Sequence, residues 1–142
     1  MTSKVAYSTR AKASGGGRDG KSATLDGALA VTLAPPKELG GNGQGNNPEQ
    51  LMAVAYAGCY LGAMRFAASN EKLGTVPADA TVTSTVGIGP RDEGGFGLTI
   101  SLEVSMPGVD RAVAETIMER GHFICPISHA IKQTINVETT LV

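Results

Sequence analysis

The sequence predicts an α+β protein with antiparallel sheets around a long buried central helix. Three observations lead there. Phe96, Leu98, Ile100, Leu102, Val104 and Met106 alternate strictly with small or polar residues, the period of a half-buried strand. From Leu51 to Ala68 the apolar residues lie all round a helical projection, the pattern of a helix buried on every side. The elements come in runs, strands then helix then hairpin, rather than as a repeating β-α-β series. One domain over residues 1–142 is expected, since the length is that of an ordinary domain able to bury its own core.

Each element has its own signal. Residues 4–13 and 21–33 mix short alternating runs with turn residues, and Asp26-Gly27 reads as a two-residue hairpin turn. Pro35-Pro36 ends that unit, and "KELGGNGQGN" (37–46) reads as a loop. Asn47 suits a helix N-cap, Pro48 the first helical position, and Glu49 and Gln50 the first turn. "ADATVTSTVGIG" and "GFGLTISLEVSM" are strands joined through "PRDEGG". Val109 to Arg120 has an amphipathic helical pattern with Gly121 placed as its stop. Pro126 opens a short helix with Cys125 at its N-cap, and "QTINVETTLV" closes as a strand.

Composition excludes several classes. Formal net charge is −1, from 12 basic and 13 acidic residues, with no basic run. This argues against nucleic acid and against an anionic membrane surface. "MTSKVAYSTR" lacks the apolar segment of a signal peptide, so a cytoplasmic location is expected. Leu51 to Met64 is too short for a membrane span, and Arg65 closes it. "GGGRDGKS" (15–22) fits the phosphate-loop pattern letter for letter. That pattern binds phosphate only between a buried strand and a helix. Here a hairpin follows, so the segment is read as a glycine-rich turn presenting Arg18.

The two cysteines, Cys59 and Cys125, carry the chemistry that remains. Two thiols are too few for a secreted disulfide framework, leaving catalysis, redox work, metal binding or plain burial. Cys59 sits in the most apolar stretch with no ionic neighbour in sequence, and burial as a small hydrophobe explains it equally well. Cys125, at a helix N-cap, would meet unpaired N–H groups that favour thiolate. His122, Cys125 and His129 form H-x2-C-x3-H and with Cys59 would make a Cys2His2 zinc site, in a spacing unlike the usual structural patterns. Alone, each histidine reads as an exposed or capping residue near a helix end. A zinc-binding or non-catalytic ligand-binding domain is therefore the alternative to an enzyme. Glu49 and Cys59 lie ~15 Å apart along one helix axis. On one straight helix they cannot both touch one small group; two helix copies packed antiparallel about a twofold could bring Glu49 of one beside Cys59 of the other. Gly58 and Gly62, four apart, suit such an approach.

"NPEQLMAVAYAGCYLGAM" and "ICPISHAI" resemble the two cysteine motifs of the organic hydroperoxide resistance (Ohr) proteins, a branch of the OsmC/Ohr superfamily. "GGGRDGK" is similar to that family's arginine loop, and "GIGPRDEGGFGLTISLEVSMPGVD" (87–110) to its central hairpin and following helix. The resemblance covers nearly the whole chain. It implies an OsmC-like fold, an intertwined homodimer, and a thiol peroxidase reducing organic hydroperoxides to alcohols. Cys59 would be the peroxidatic cysteine and Cys125 the resolving one, through a sulfenic acid and a Cys59–Cys125 disulfide. Arg18 and Glu49 would activate the thiolate. No bound cofactor is implied; reducing equivalents would come from dihydrolipoyl groups of a lipoylated protein. Tyr60 stands where Phe is frequent, and Ile127 and His129 where Tyr and Asn are frequent. "CPISHAI" thus leans toward the osmotically inducible branch, and the other motifs toward the hydroperoxide branch.

Overall fold

The computed structural model describes residues 4–142, which form two compact units, one reaching Leu51 and the other starting at Met52. The first holds a three-stranded antiparallel sheet: β1 (Ala11–Gly15), β2 (Gly20–Thr24) and β3 (Ala30–Thr32). The phosphate-loop look-alike is the β1–β2 turn, with Gly15 and Gly17 at φ 74° and 69°, a region open mainly to glycine. No helix follows it; Lys21 and Ser22 lie in β2. The Asp26-Gly27 hairpin forms, with a wider loop than the two residues expected. Thr24 and Leu29 close it, and the Asp26 carboxylate accepts from the Ala28 N–H and the Thr24 hydroxyl. An Asx-turn of this kind favours the longer loop. Residues 37–46 are irregular apart from one 3-10 turn.

Helix α1 (Pro48–Asn70) begins in the first unit and continues into the second. Its start is a reciprocal capping box. Asn47 Oδ1 accepts from the Gln50 N–H at 2.8 Å, and Gln50 Oε1 from the Asn47 N–H at 3.0 Å. Arg65 does not close the helix. Its guanidinium donates to the carbonyls of Val76 and Pro77 while the helix runs five residues further. At 23 residues α1 is long and apolar enough to cross a membrane, so the argument from shortness does not hold. Tyr56, Tyr60, Ala63, Met64 and Ala68 instead enter the protein core. Within the one chain, burial is confined to that face. Val54 is 75% exposed and Phe66 57%, and a Cβ added at Gly58 or Gly62 would meet nothing within 4 Å.

The second unit has strand order β4 (Thr81–Pro90), β5 (Phe96–Ser105), β6 (Glu138–Leu141). The hairpin pairs antiparallel as expected. β6 pairs parallel with β5, so this sheet is mixed. The cause is connectivity: α2 (Arg111–Ile124) and α3 (Pro126–Ile131) intervene, and such a crossover returns the chain in the starting direction. Ile100, Leu102 and Val104 of β5 share one core with α1 and with Ala114, Ile117 and Met118 of α2. Past the start of that core, Phe96 is left exposed.

Gly121 lies inside α2 and does not stop it. Its reason is packing: an added Cβ would stand 2.6 Å from Met64 Cγ and 3.1 Å from Tyr60 Cε2. The stop is Cys125, extended at φ −64° and ψ 119° ahead of Pro126. Gly121→Ala is therefore expected to destabilise the fold. Overpacking at about 1–3 kcal/mol outweighs a helix-propensity gain of about 1 kcal/mol or less. A thermal melt at or above that of the original chain would refute the close-approach reading.

Candidate active site

The first unit brings Arg18 and Glu49 together. Arg18 rides on the β1–β2 turn, and Arg18 Nη2 donates to Glu49 Oε1 at 2.5 Å. The loop after β3 is held to the sheet by the Ala34–Asn46 and Asn46–Thr32 backbone bonds. Because Asn47 and Gln50 satisfy each other in the capping box, Glu49 in the same first turn is left to the arginine.

The second unit brings the two cysteines together. Cys59 on α1 is partly buried and Cys125 fully so; both are free thiols, with sulfurs 3.5 Å apart. Cys125 is the N-cap of α3 and opens the helix with Pro126 in its first turn, as expected, yet its side chain makes no capping bond. The sulfur is directed to Cys59 instead. Burial pushes the Cys59 thiol above its ordinary value, and the neighbouring Cys125 thiol adds to this; the Ile127 N–H pulls the other way. Within its own unit, the balance of these influences opposes ionisation of Cys59.

The zinc arrangement is not formed: among the described residues, no three His, Cys, Asp or Glu side chains gather as a ligand set. His129 is exposed, as its simplest reading had it. His122 is neither exposed nor a cap. Its Nδ1 is 2.9 Å from Ser128 Oγ, its Nε2 2.7 Å from Thr139 Oγ1, and its ring lies against Tyr60 with centroids 4.5 Å apart. Ser128 in turn bonds Tyr56 Oη at 2.6 Å, and Tyr60 Oη donates to the Met118 carbonyl. Sequence reasoning passed over Tyr56, Ser128 and Thr139. The available signal was spacing: Tyr56 is three residues before Cys59, and Ser128 three after Cys125. A cleft of about 720 Å³ opens on Tyr56, His122, Phe123, Ser128 and His129, and neither cysteine lines it.

Burial holds the His122 imidazole below its ordinary value of 6.5. A neutral buried histidine must take up a proton on unfolding in acid, so its contribution is intact above pH 6.5. It is lost as the pH falls from 6.5 through the lowered native value. The loss is about 1.4 kcal/mol for each unit of depression. Melting curves from pH 8 to 5 should fall more steeply for the wild type than for His122→Gln. Parallel curves would remove His122 as the cause.

A dithiol pair on buried helical segments of an α+β chain defines a class, and comparison with known proteins gives its name. The family model described as OsmC-like protein matches residues 41–140, and the chain belongs to that family. Across 97% of its length it is 43% identical to the organic hydroperoxide resistance protein of Xanthomonas axonopodis pv. citri, covering 96% of that protein. This places the chain in the organic hydroperoxide resistance branch. The crystal structure of an organic hydroperoxide resistance protein from Legionella pneumophila is 39% identical. It superposes with a TM-score of 0.90, over 97% of this chain and 98% of that one. The OhrB protein of Bacillus subtilis, 28% identical, gives 0.86 over 97% and 100%.

Proposed function

We propose that this protein protects against organic peroxides as a cysteine-based peroxidase, reducing alkyl or lipid hydroperoxides to alcohols. The observation that carries the reading is the thiol pair: two cysteines 66 residues apart in sequence with sulfurs 3.5 Å apart. The names of the Xanthomonas, Legionella and Bacillus relatives support the same substrate class. The Cys59 thiolate attacks a peroxide oxygen, the alcohol leaves, and Cys59 becomes a sulfenic acid that condenses with Cys125. A dithiol reductant, dihydrolipoyl groups on a lipoylated protein in this reading, returns both thiols.

The working unit in this proposal is a homodimer. Its support is the open apolar face of α1, where Val54 and Phe66 flank Gly58 and Gly62. An exposed apolar stripe of this kind marks an association surface. Arg18 and Glu49 of one protomer would serve Cys59 of its partner, which answers the ~15 Å separation of Glu49 and Cys59 along a single helix.

The test is intact-mass analysis before and after one equivalent of cumene hydroperoxide, alongside light scattering. Loss of two hydrogens within one chain, on a particle of twice the chain mass, is expected. Unchanged mass would reject the enzyme, bound zinc would favour the metal alternative, and an active monomer would reject the shared site. Hydroperoxides with longer apolar tails should also outperform hydrogen peroxide in kcat/KM, since burial contributes about 0.8 kcal/mol per CH2. Equal values for both would contradict an apolar approach to Cys59.

A further inference from the structure

We infer that the Tyr56–Ser128 hydrogen bond, backed by His122, is a positioning clamp for the second chemical step, the condensation of Cys59 with Cys125. The inference rests on the peroxidase reading above and concerns residues outside the thiol, arginine and glutamate set.

The geometry is a two-rung ladder. On α1, Tyr56 and Cys59 are three residues apart and share a face. Across from them, Ser128 follows Cys125 by three, at the start of α3. The rungs are the sulfur pair at 3.5 Å and the Tyr56 Oη–Ser128 Oγ bond at 2.6 Å. Tyr56 is 0% exposed and Ser128 5%. A six-residue helix such as α3 has too few turns to hold itself in place. Something must therefore fix the segment that carries Cys125, and a buried hydrogen bond one turn from the sulfur does so.

The clamp is anchored from behind, with one self-consistent polarity. Thr139 Oγ1 donates to the Val137 carbonyl at 3.4 Å, which leaves its oxygen to accept from His122 Nε2–H. His122 Nδ1 is then bare and accepts the Ser128 hydroxyl hydrogen, and Ser128 Oγ accepts from Tyr56. One chain of bonds thus joins α1, α3, α2 and the β6 strand behind the thiols.

Position matters because two reactions compete for the sulfenic acid. In condensation, the electron pair of the Cys125 sulfur forms the S–S bond as the S–O bond of Cys59–SOH breaks. The hydroxide leaves with the Cys125 proton as water. The cysteines have then together given up the two electrons taken by the hydroperoxide, itself reduced to alcohol. In the rival path, a second hydroperoxide oxidises Cys59 to sulfinic acid, which the reductant does not reverse. The sulfurs must close from 3.5 Å to ~2.05 Å for the bond, and a displaced Cys125 gives the rival more time.

The experiment follows Tyr56→Phe, Ser128→Ala and the double variant by rapid mixing with cumene hydroperoxide. Acid quench, a sulfenic-acid trap and mass spectrometry resolve the two steps. Consumption of the first equivalent should keep the wild-type rate. Condensation should slow about tenfold, as expected for a misplaced reacting group, and the sulfinic fraction at excess hydroperoxide should rise in proportion. Ser128→Ala and the double variant also take the hydroxyl from His122 Nδ1, whereas Tyr56→Phe removes the rung and leaves the Ser128–His122 bond in place. A near-wild-type melting temperature in Tyr56→Phe with slowed condensation separates positioning from stability. Wild-type condensation in folded variants, or equal slowing of both steps, would overturn the clamp. Failure of the wild type itself to form a sulfenic acid and disulfide would instead overturn the peroxidase reading.

Discussion

Cys59→Ser should reduce hydroperoxide consumption to the uncatalysed rate, whereas Cys125→Ser should consume a first equivalent and then stall. The asymmetry follows from the proposed roles. Without Cys59 there is no nucleophile, and the remaining thiol at position 125 is fully buried. Without Cys125 the first oxidation goes ahead, but the sulfenic acid has no thiol 3.5 Å away to condense with. Peptide mapping should then find Cys59 trapped as sulfenic acid at one equivalent and as sulfinic acid at excess. Equal peroxide consumption by Cys59→Ser and wild type would end the nucleophile assignment. Disulfides mapped between protomers in the wild type would reject the order of steps.

Arg18→Ala should keep the fold and lose most of the reactivity at neutral pH. The surroundings of Cys59 in its own unit are the reason the proposed reaction would need an outside cation. Burial and the Cys125 thiol push its titration upward, and a mid-helix position gives no help from the helix dipole. Arginine stays charged throughout the working range. A guanidinium beside the sulfur lowers the thiol by roughly one unit or more, so its removal cuts the neutral-pH thiolate about tenfold per unit. The sign is testable, because the lost rate should return as pH rises and the thiol ionises unaided. Arg18→Lys should recover only part, since an ammonium engages sulfur and the Glu49 carboxylate together less well than a planar fork. Thiolate absorbance against pH, in a Cys125→Ser background, measures the titration directly. Overlapping curves with and without Arg18 would remove the arginine from the chemistry.

How legible these features were depends on how far apart their causes lie. The β4–β5 hairpin was written in its alternation, and the α1 start in four consecutive residues, Asn47 to Gln50, because neighbours decide both. Gly121 was misread because the reason for it is the approach of Tyr60 and Met64, some sixty residues earlier in the chain. The direction of β6 was hidden for a similar reason: a strand's own residues do not state which way its neighbour runs. At the site, Arg18 and Glu49 were named from the likeness of their loops to a family, 31 residues apart with no periodic pattern linking them. The Tyr56–Ser128–His122–Thr139 chain draws on four elements, and only the folded chain places them together.

The parallel pairing of β6 with β5 has a consequence for the order in which the chain acquires its structure. The β4–β5 hairpin closes across a short turn, but Ser101 pairs with Glu138 across 37 positions. Local contacts form early, and long-range parallel ones wait for a larger loop to close. Cys125 lies inside that loop, and its backing through His122 reaches Thr139 on the late strand. By this ordering, the helix that carries Cys59 would assemble before Cys125 is seated beside it. In the proposed peroxidase, a chain that meets peroxide in that interval would hold an oxidisable Cys59 with no neighbour ready to condense, and folding speed itself would become a protection against irreversible damage.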